Sequence, residues 1–266
     1  MQEAGLKTKL DTAGNLFGRL GQGEEVIMLG SHLDTAPEGG PLDGALGVIA
    51  ALECLQSIRD QSIEVNTPIE LVAFNDEEGA FLGLLGSRAL TGTWEEEELE
   101  GLQDINGLSL SDAMEGCGLD IKRLRDAQRD TSKIRAYLEL HIEGGIELER
   151  SNIPIGLVTT IAGLTCWWMT FLGESEHPAT ITMAERKDAF LGAAEFALNA
   201  NEWAMACHPS SCLNIGHARV LPGPFNAIPG EVRLAVQFRG TSSEELSNLE
   251  EKFIQLGTEI AERRGL

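Results

Sequence analysis

Positive charge is scarce in this chain. Its 20 Lys and Arg stand against 42 Asp and Glu, a net charge of −22 with His counted as neutral. Nucleic acid is therefore excluded as an expected partner, because phosphate backbones need a basic face. The acidity favours solubility and leaves carboxylates available for cations. Cysteine offers no framework either. Cys54, Cys117, Cys166, Cys207 and Cys212 are scattered, odd in number and free of any C-x-x-C pair. That pattern argues against a disulfide scaffold or a thiolate zinc site, and a reduced cytoplasmic compartment is the expectation. No apolar run approaches the roughly 20 residues of a membrane span, so no membrane partner is expected. The opening Met1-Gln2-Glu3-Ala4-Gly5 has neither the basic region nor the apolar core of a signal peptide.

What is present centres on Gly30 to Gly47, Gly-Ser-His-Leu-Asp-Thr-Ala-Pro-Glu-Gly-Gly-Pro-Leu-Asp-Gly-Ala-Leu-Gly. The apolar run Val26–Leu29 leads into it and reads as a buried strand. His32 and Asp34 follow two residues apart, so both side chains leave the same face. A Gly/Pro-rich loop then delivers Asp43 ahead of an apolar run from Ala45. Strand ends of this kind are where open α/β sheets place their sites. An imidazole and a carboxylate can share a divalent metal, and a second carboxylate can fix the imidazole's tautomer. Taken alone, the His-x-Asp pair is a weak signal, more often a surface pair or a cap than a metal site.

The remaining chain reads in order. Leu6–Leu10 and the turn Asp11–Asn15 suggest a hairpin-like entry. Ala45–Arg59 is a helix with apolar residues at Ala45, Val48, Ile49, Leu52 and Leu55. Ile69–Phe74 is a second strand, ended by Asn75-Asp76-Glu77-Glu78-Gly79. Leu84–Leu90 opens another helix, and Glu95–Glu98 reads as a solvated helix face. Ser109 caps a short helix to Glu115. Ala136–Ile142 is a third strand carrying Glu139 and His141, with Glu143 just beyond. The texture changes from Gly156. Trp167–Leu172, Leu213–Val220 and Val232–Phe238 read as strands, and Met183–Met205 as a helix. Ser243–Arg264 is an amphipathic helix with Leu246, Leu249, Phe253, Leu256 and Ile260 on one face. This β-α-β-β-α order is one strand short of a ferredoxin-like unit. The length of 266 residues suits two modest domains, an α/β catalytic domain over residues 1–155 and a lid or dimerisation domain over 156–266.

Three strand ends thus carry metal-type chemistry: His32 with Asp34, Asp76-Glu77-Glu78, and His141 with Glu143. One acidic end could be a cap and one His a satisfied core residue, but three in one sheet are a constellation. Two divalent metals about 3.5–4 Å apart need a bridging carboxylate, terminal His and carboxylate ligands, and a free Glu to accept a proton.

The motifs Gly-Ser-His-Leu-Asp-Thr, Leu-Asp-Gly-Ala-Leu-Gly, Asp-Glu-Glu-Gly and Leu-Glu-Leu-His-Ile-Glu, in this order and at these separations, make the chain similar to the N-carbamoyl-L-amino acid hydrolase, allantoate amidohydrolase and β-ureidopropionase family. That family belongs to the di-metal aminoacylases and carboxypeptidases. The resemblance implies that His32 and His141 bind one metal, Glu78 helps bind a second, and Asp43 bridges them. It also implies that Asp34 orients His32 and that Glu77 is the general base. The metals implied are divalent: zinc, manganese, cobalt or nickel. The segment Glu174–Met183 resembles the family's Glu-Ala-Asn-His-Ala-Gly-Thr-Thr-Pro-Met run, so His177 is implied to bind substrate and to stabilise developing charge. Asn226 and Arg239 match family positions that contact substrate, Arg239 by gripping its carboxylate with an arginine fork. The partners implied are a small-molecule substrate and a second copy, a homodimer formed through the lid.

The departures are specific. Gly144 stands where the family has a substrate-contacting glutamine, and Pro178-Ala179 stand where it has Ala-Gly. The segment after Gly79 is slightly shorter. The family's last lid strand and its late Gly-His-Asp histidine, a ligand of the metal held by Glu78, are not in the chain, nor are the N-terminal helices. The expected activity is metal-assisted hydrolysis of a linear C–N bond in an N-carbamoyl or ureido compound. An aminoacylase or dipeptidase is the nearest rival, and a non-catalytic dimerising remnant is the rival of another class.

Overall fold

A computed structural model of the chain describes residues 1–36, 39–207 and 212–266. Pro37 and Glu38, inside the loop leading to Asp43, lie outside the described residues. The chain divides into two compact units, Met1–Pro154 and Ile155–Leu266.

The first unit is a mixed α/β structure. Strands β1 (Lys7–Leu10), β2 (Leu16–Leu20), β3 (Val26–His32), β4 (Ile69–Phe74) and β5 (Ile134–Leu138) form one sheet in the order β1-β2-β4-β3-β5. β1 and β2 are the expected hairpin, with Leu10 opposite Leu16. β2 runs antiparallel to β4, while β3 lies parallel to both β4 and β5. The crossover between β3 and β4 is helix α1 (Ala45–Asp60), which starts and ends within a residue of the expected span. Its buried stripe is Gly47, Val48, Ala51 and Leu55. Ile49 points outward, because a step of one residue turns the side chain off the inner face. Leu55 packs with Leu6, Leu71 and Ala73 on one face of the sheet. Phe17, Met28, Val72 and Leu90 fill the other. Glu70 is buried within β4 and is held by two guanidinium groups, Arg19 at 3.4 Å and Arg129. A buried carboxylate without such partners would be strongly destabilising.

Helices α2 (Leu85–Thr91), α3 (Glu96–Leu99) and α4 (Leu110–Gly116) follow β4. Ser109 caps α4, accepting from the amide of Asp112 at 3.1 Å. The acidic run forms α3 on the surface, where Glu98 meets Arg88 and Glu96 meets Arg125. A short helix α5 (Glu147–Arg150) ends the unit.

The second unit holds a three-stranded antiparallel sheet, β6 (Gly163–Leu172), β7 (Cys212–Leu221) and β8 (Glu231–Gly240), in the order β6-β8-β7. Helices α6 (Ala189–Cys207) and α7 (Ser243–Arg264) cover one face. Val232, Leu234, Val236 and Phe238 point into this core, where Phe238 and Phe253 meet edge to face at 5.3 Å. The small residues Ala189, Ala193, Ala200 and Ala204 form the inner stripe of α6 around Phe196. Alternation puts Arg233, Ala235, Gln237 and Arg239 on the opposite, open face of β8.

Two sequence expectations are corrected. The helix expected from Met183 starts at Ala189. Upstream, the carbonyl of Lys187 accepts from the amide of Glu174, and the Asp188 carboxylate accepts from Phe190, which starts the helix there. The third strand runs Ile134–Leu138 rather than Ala136–Ile142, since its ladder with β3 ends at Leu29 opposite Leu138.

Asn15, expected only as the end of a turn, also fixes the end of β4. Its fully buried side chain accepts from the amide of Asn75 at 3.1 Å and donates to the carbonyl of Gly86 and the carboxylate of Asp11, each at 2.9 Å. Asn15→Ala leaves these buried groups unpaired and is expected to cost about 2–4 kcal/mol, at 1–3 kcal/mol for each stranded group. Urea unfolding checks this, and a loss below about 1 kcal/mol would show that water replaces the amide.

Candidate metal centre

The three parallel strands end together and present their terminal residues to one place. β3 ends on His32, whose side chain is 2% exposed. β4 ends at Phe74 and passes into a turn in which Asp76 takes a positive φ of 51°. The Asp76 carboxylate accepts from the amides of Phe81 and Leu82 at 3.3 and 3.2 Å. The Asp76 and Glu77 carbonyls accept from Leu85 and Leu84. Asp76 thus braces the turn, and Glu77 and Glu78 occupy a pinned loop where strand alternation does not force them apart. Beyond the end of β5, Glu139 and His141 continue alongside β3.

Two glycines make room. Gly44 has φ +63°, and a Cβ there would lie 2.3 Å from Nδ1 of His32. A Cβ on Gly47 would lie 2.3 Å from the Leu140 carbonyl oxygen and 2.7 Å from Cβ of Ser31. The start of α1 can therefore press against both His-bearing segments only with glycine at these positions.

The resulting geometry is close. Nε2 of His32 is 3.3 Å from Nε2 of His141. Asp43 Oδ1 is 3.5 Å from His141 Nε2 and 3.9 Å from His32 Nε2. Glu78 Oε1 is 4.0 Å from His32 Nε2. On the far side of each ring, Nδ1 faces a carbonyl oxygen: Asp34 at 2.6 Å from His32, and Ile142 at 3.0 Å from His141. A carbonyl only accepts, so each Nδ1 is the donor, and in its neutral form each ring turns an Nε2 lone pair inward. Two lone pairs and a carboxylate at these separations repel one another unless a cation lies among them.

Ligand atoms within 4.8 Å of one another form two sets, His32 with Asp43 and His141, and His32 with Glu77 and Glu78. Among the described residues no such set joins Asp43 to Glu78, the pair implied for a shared second metal. The orienting group on His32 is the Asp34 carbonyl, while the Asp34 carboxylate stands 3.9 Å from Nδ1 and accepts from the Glu78 amide at 2.9 Å. Asp34 thereby also holds the Glu78 backbone. Loss of water raises the Glu77 pKa above its ordinary 4.5, the charges of Glu78, Asp34 and Glu139 push the same way, and His32 opposes them. Tyr137 leaves 43% of its surface open, but its hydroxyl lies against Gly30 and Glu139. Desolvation there and the Glu139 charge push the phenol pKa up, which keeps the hydroxyl a donor. Tyr137 and Ser31 were not among the expected site residues, and Glu139 had no assigned role. The alternation around His32 and His141 was the available signal.

The second unit carries the residues expected to recognise substrate. The amide of Ala179 donates to Nδ1 of His177 at 3.2 Å, so the neutral ring holds its proton on Nε2. The amide of Ile228 donates to the Glu176 carbonyl at 2.8 Å, which ties the Asn226 turn to the His177 segment. Both precede or follow the strand ends where Leu172 pairs with Glu231. Arg239 lies at the other end of β8, opposite Leu164. Eight strand steps of about 3.3 Å put it roughly 26 Å from Glu231, so it does not join His177 and Asn226.

Residues 15–141 match the family model described as Peptidase family M28. The chain is 41% identical over 249 residues to the N-carbamoyl-L-amino acid amidohydrolase of Geobacillus stearothermophilus, covering 92% of this chain and 60% of that protein. It is 33% identical to the allantoate amidohydrolase of Bacillus subtilis, covering 100% of this chain and 65% of that protein. A hydantoinase/carbamoylase family amidase from Burkholderia ambifaria superposes with a TM-score of 0.82 at 31% identity, over 99% of this chain and 64% of that one. The chain therefore spans somewhat under two thirds of the length of these relatives. With the motifs at its strand ends and these likenesses along its whole length, the chain belongs to the family of N-carbamoyl-L-amino acid and allantoate amidohydrolases.

Proposed function

We propose that this chain carries the chemistry of a metal-dependent amidohydrolase that cleaves a linear C–N bond in an N-carbamoyl amino acid or an allantoate-like ureido compound. The observation that carries the reading is the pair of inward-facing Nε2 lone pairs beside Asp43, a donor set that fits a divalent cation. His32, Asp43 and His141 would hold that ion, with Glu78 and the bridging Asp43 serving a second; zinc, manganese, cobalt and nickel all suit such ligands. A bound divalent ion polarises the scissile carbonyl and acidifies water. Glu77 takes the proton of the attacking water and returns it to the leaving nitrogen. Burial and the neighbouring carboxylates raise its pKa, which favours the return of the proton to the leaving nitrogen.

His177, through its Nε2–H, and Asn226 would donate to the developing charge on the substrate, and Arg239 would grip its carboxylate. Residues 1–155 would be the catalytic domain and 156–266 the lid, a ferredoxin-like unit lacking its last strand. The span of β8 separates Arg239 from the other two, so one lid presents only one group or the other to a small substrate. A homodimer through the lid resolves this, with His177 and Asn226 of one copy serving the site that uses Arg239 of the other. A cytoplasmic setting fits the free cysteines, and no described helix is long and apolar enough to cross a membrane. The peptidase description of the matching family model favours one second reading, an aminoacylase or dipeptidase. Comparing hydrolysis of N-carbamoyl amino acids with that of dipeptides separates the two.

Four outcomes are expected. After dialysis, elemental analysis should find one divalent ion per chain, lost in His32→Ala; two retained ions would mean the Glu78 position is complete without further ligands. Glu77→Gln should keep the ion and lower turnover about 10²-fold or more. The same substitution should raise the melting temperature of the chelator-treated chain at pH 7. A carboxyl whose pKa is raised in the fold is easier to ionise when unfolded, so ionisation destabilises the fold as pH rises through the two values. The gain should therefore vanish below about pH 4, under the unfolded value; a gain equal at both pH values would trace to packing instead. Lastly, His177→Ala and Arg239→Ala should each be inactive alone but regain up to about a quarter of the activity when mixed, because half the dimers are then mixed with one whole site each. No recovery would place both residues' work within one chain.

A further inference from the structure

The ladder between β3 and β5 ends at Leu29 and Leu138, yet the two metal-type histidines lie three residues further on each strand. Backbone pairing does not set the gap between them. Side chains span it instead. The Ser31 hydroxyl donates to one Glu139 oxygen at 2.5 Å, and the Tyr137 hydroxyl donates to the other at 2.8 Å. The Tyr137 oxygen also stands 3.3 Å from the Gly30 carbonyl oxygen across the two strands. Ser31 is buried and adjoins His32, while Glu139 is two residues before His141. Gly47 of α1 also lies against Ser31 and Leu140, so the two segments are pressed together there.

We infer that Glu139 is a positioning residue for the metal centre: with Ser31 and Tyr137 it forms a side-chain clasp that carries the β3–β5 alignment past the end of the ladder and sets the spacing of His32 and His141. The inference rests on the metal-centre reading of those histidines. The clasp needs two acceptor positions on one planar group at this reach. A glutamine keeps the plane and can engage both hydroxyls, because a tyrosine or serine oxygen also accepts. An alanine removes both contacts. Among the described residues Tyr137 and Ser31 belong to neither ligand set, and each meets Glu139 through its hydroxyl.

The experiment is cobalt(II) titration of the full chain, read by visible d–d absorption and by competition with a chelating dye, on the unmutated protein and on Glu139→Ala, Glu139→Gln and Ser31→Ala. Thermal melts of the metal-free proteins accompany it. Outer partners of metal ligands typically govern affinity by about 10–100-fold. Glu139→Ala and Ser31→Ala are expected to weaken cobalt binding by about 10-fold or more with an altered absorption band. Glu139→Gln is expected to bind within about threefold of the unmutated chain, since one hydrogen bond is exchanged for another. A merely structural role would lower the melting temperature and leave the affinity and spectrum of the folded protein unchanged. Unaltered cobalt binding in Glu139→Ala would overturn the inference alone. So would an equal loss in Glu139→Gln and Glu139→Ala, which would mean that charge matters and the clasp does not. If Glu139→Ala fails to fold, Ser31→Ala decides the matter by the same two readouts. Failure of the unmutated chain to bind cobalt overturns the metal-centre reading and this inference with it.

Discussion

Mutual repulsion among donors is the constraint on which the first unit depends. With both rings neutral and protonated on Nδ1, Nε2 lone pairs 3.3 Å apart, with carboxylates at 3.5 to 4.0 Å, would separate if the chain allowed it. The surroundings forbid separation. Each Nδ1 is anchored to a carbonyl of a neighbouring residue, and the start of α1 bears on both segments through Gly44 and Gly47. Folding work is thus invested in an arrangement that a cation would stabilise, which is the physical sense of preorganisation in a metal site.

The brace behind that arrangement is polar and buried. Asp11 accepts from the amides of Ala13 and Asn15 and from the Asn15 side chain, and Asn15 passes the connection to Asn75 and Gly86. The loop bearing Glu77 and Glu78 therefore hangs from the first hairpin on one side and from the start of α2 on the other. Asp34 adds a third hold through the Glu78 amide. A buried network of this kind favours one geometry, because any alternative strands several buried groups at once.

Most of this was legible where local chemistry and tertiary environment agree. β4 and α7 took the expected spans because an apolar run between turn residues, and an apolar stripe between Ser242 and Gly265, leave few alternatives. The histidines and acidic residues at the three strand ends came together because parallel strands end on one side of a sheet. Four things were not legible. The end of β5 depends on where its neighbour stops pairing, which Glu139-Leu140-His141 does not encode. The start of α6 depends on Lys187 being used by Glu174, a contact made across the fold. The role of Asn15 depends on Asn75 and Gly86, some 60 and 71 residues away. The orienting of His32 by the Asp34 backbone, with the carboxylate turned to Glu78, is likewise a choice between two acceptors on one residue that spacing alone leaves open.

Recognition and chemistry draw on different physics, and the proposed reading assigns them to different units. The donor set at the strand ends must be rigid to a fraction of an ångström, and it sits on a sheet with helix packing and a buried brace. The groups that would read the substrate sit on turns and strand ends of a second sheet, where His177 and Asn226 share one end and Arg239 the other. A strand is a stiff spacer, so this distance is as fixed as the donor set itself. On the proposed reading, a small substrate that meets all three groups would do so across two copies of the second unit. If so, dimerisation is a condition of recognition and not an addition to it, and a change that loosens the dimer should weaken substrate binding before it disturbs the donor set.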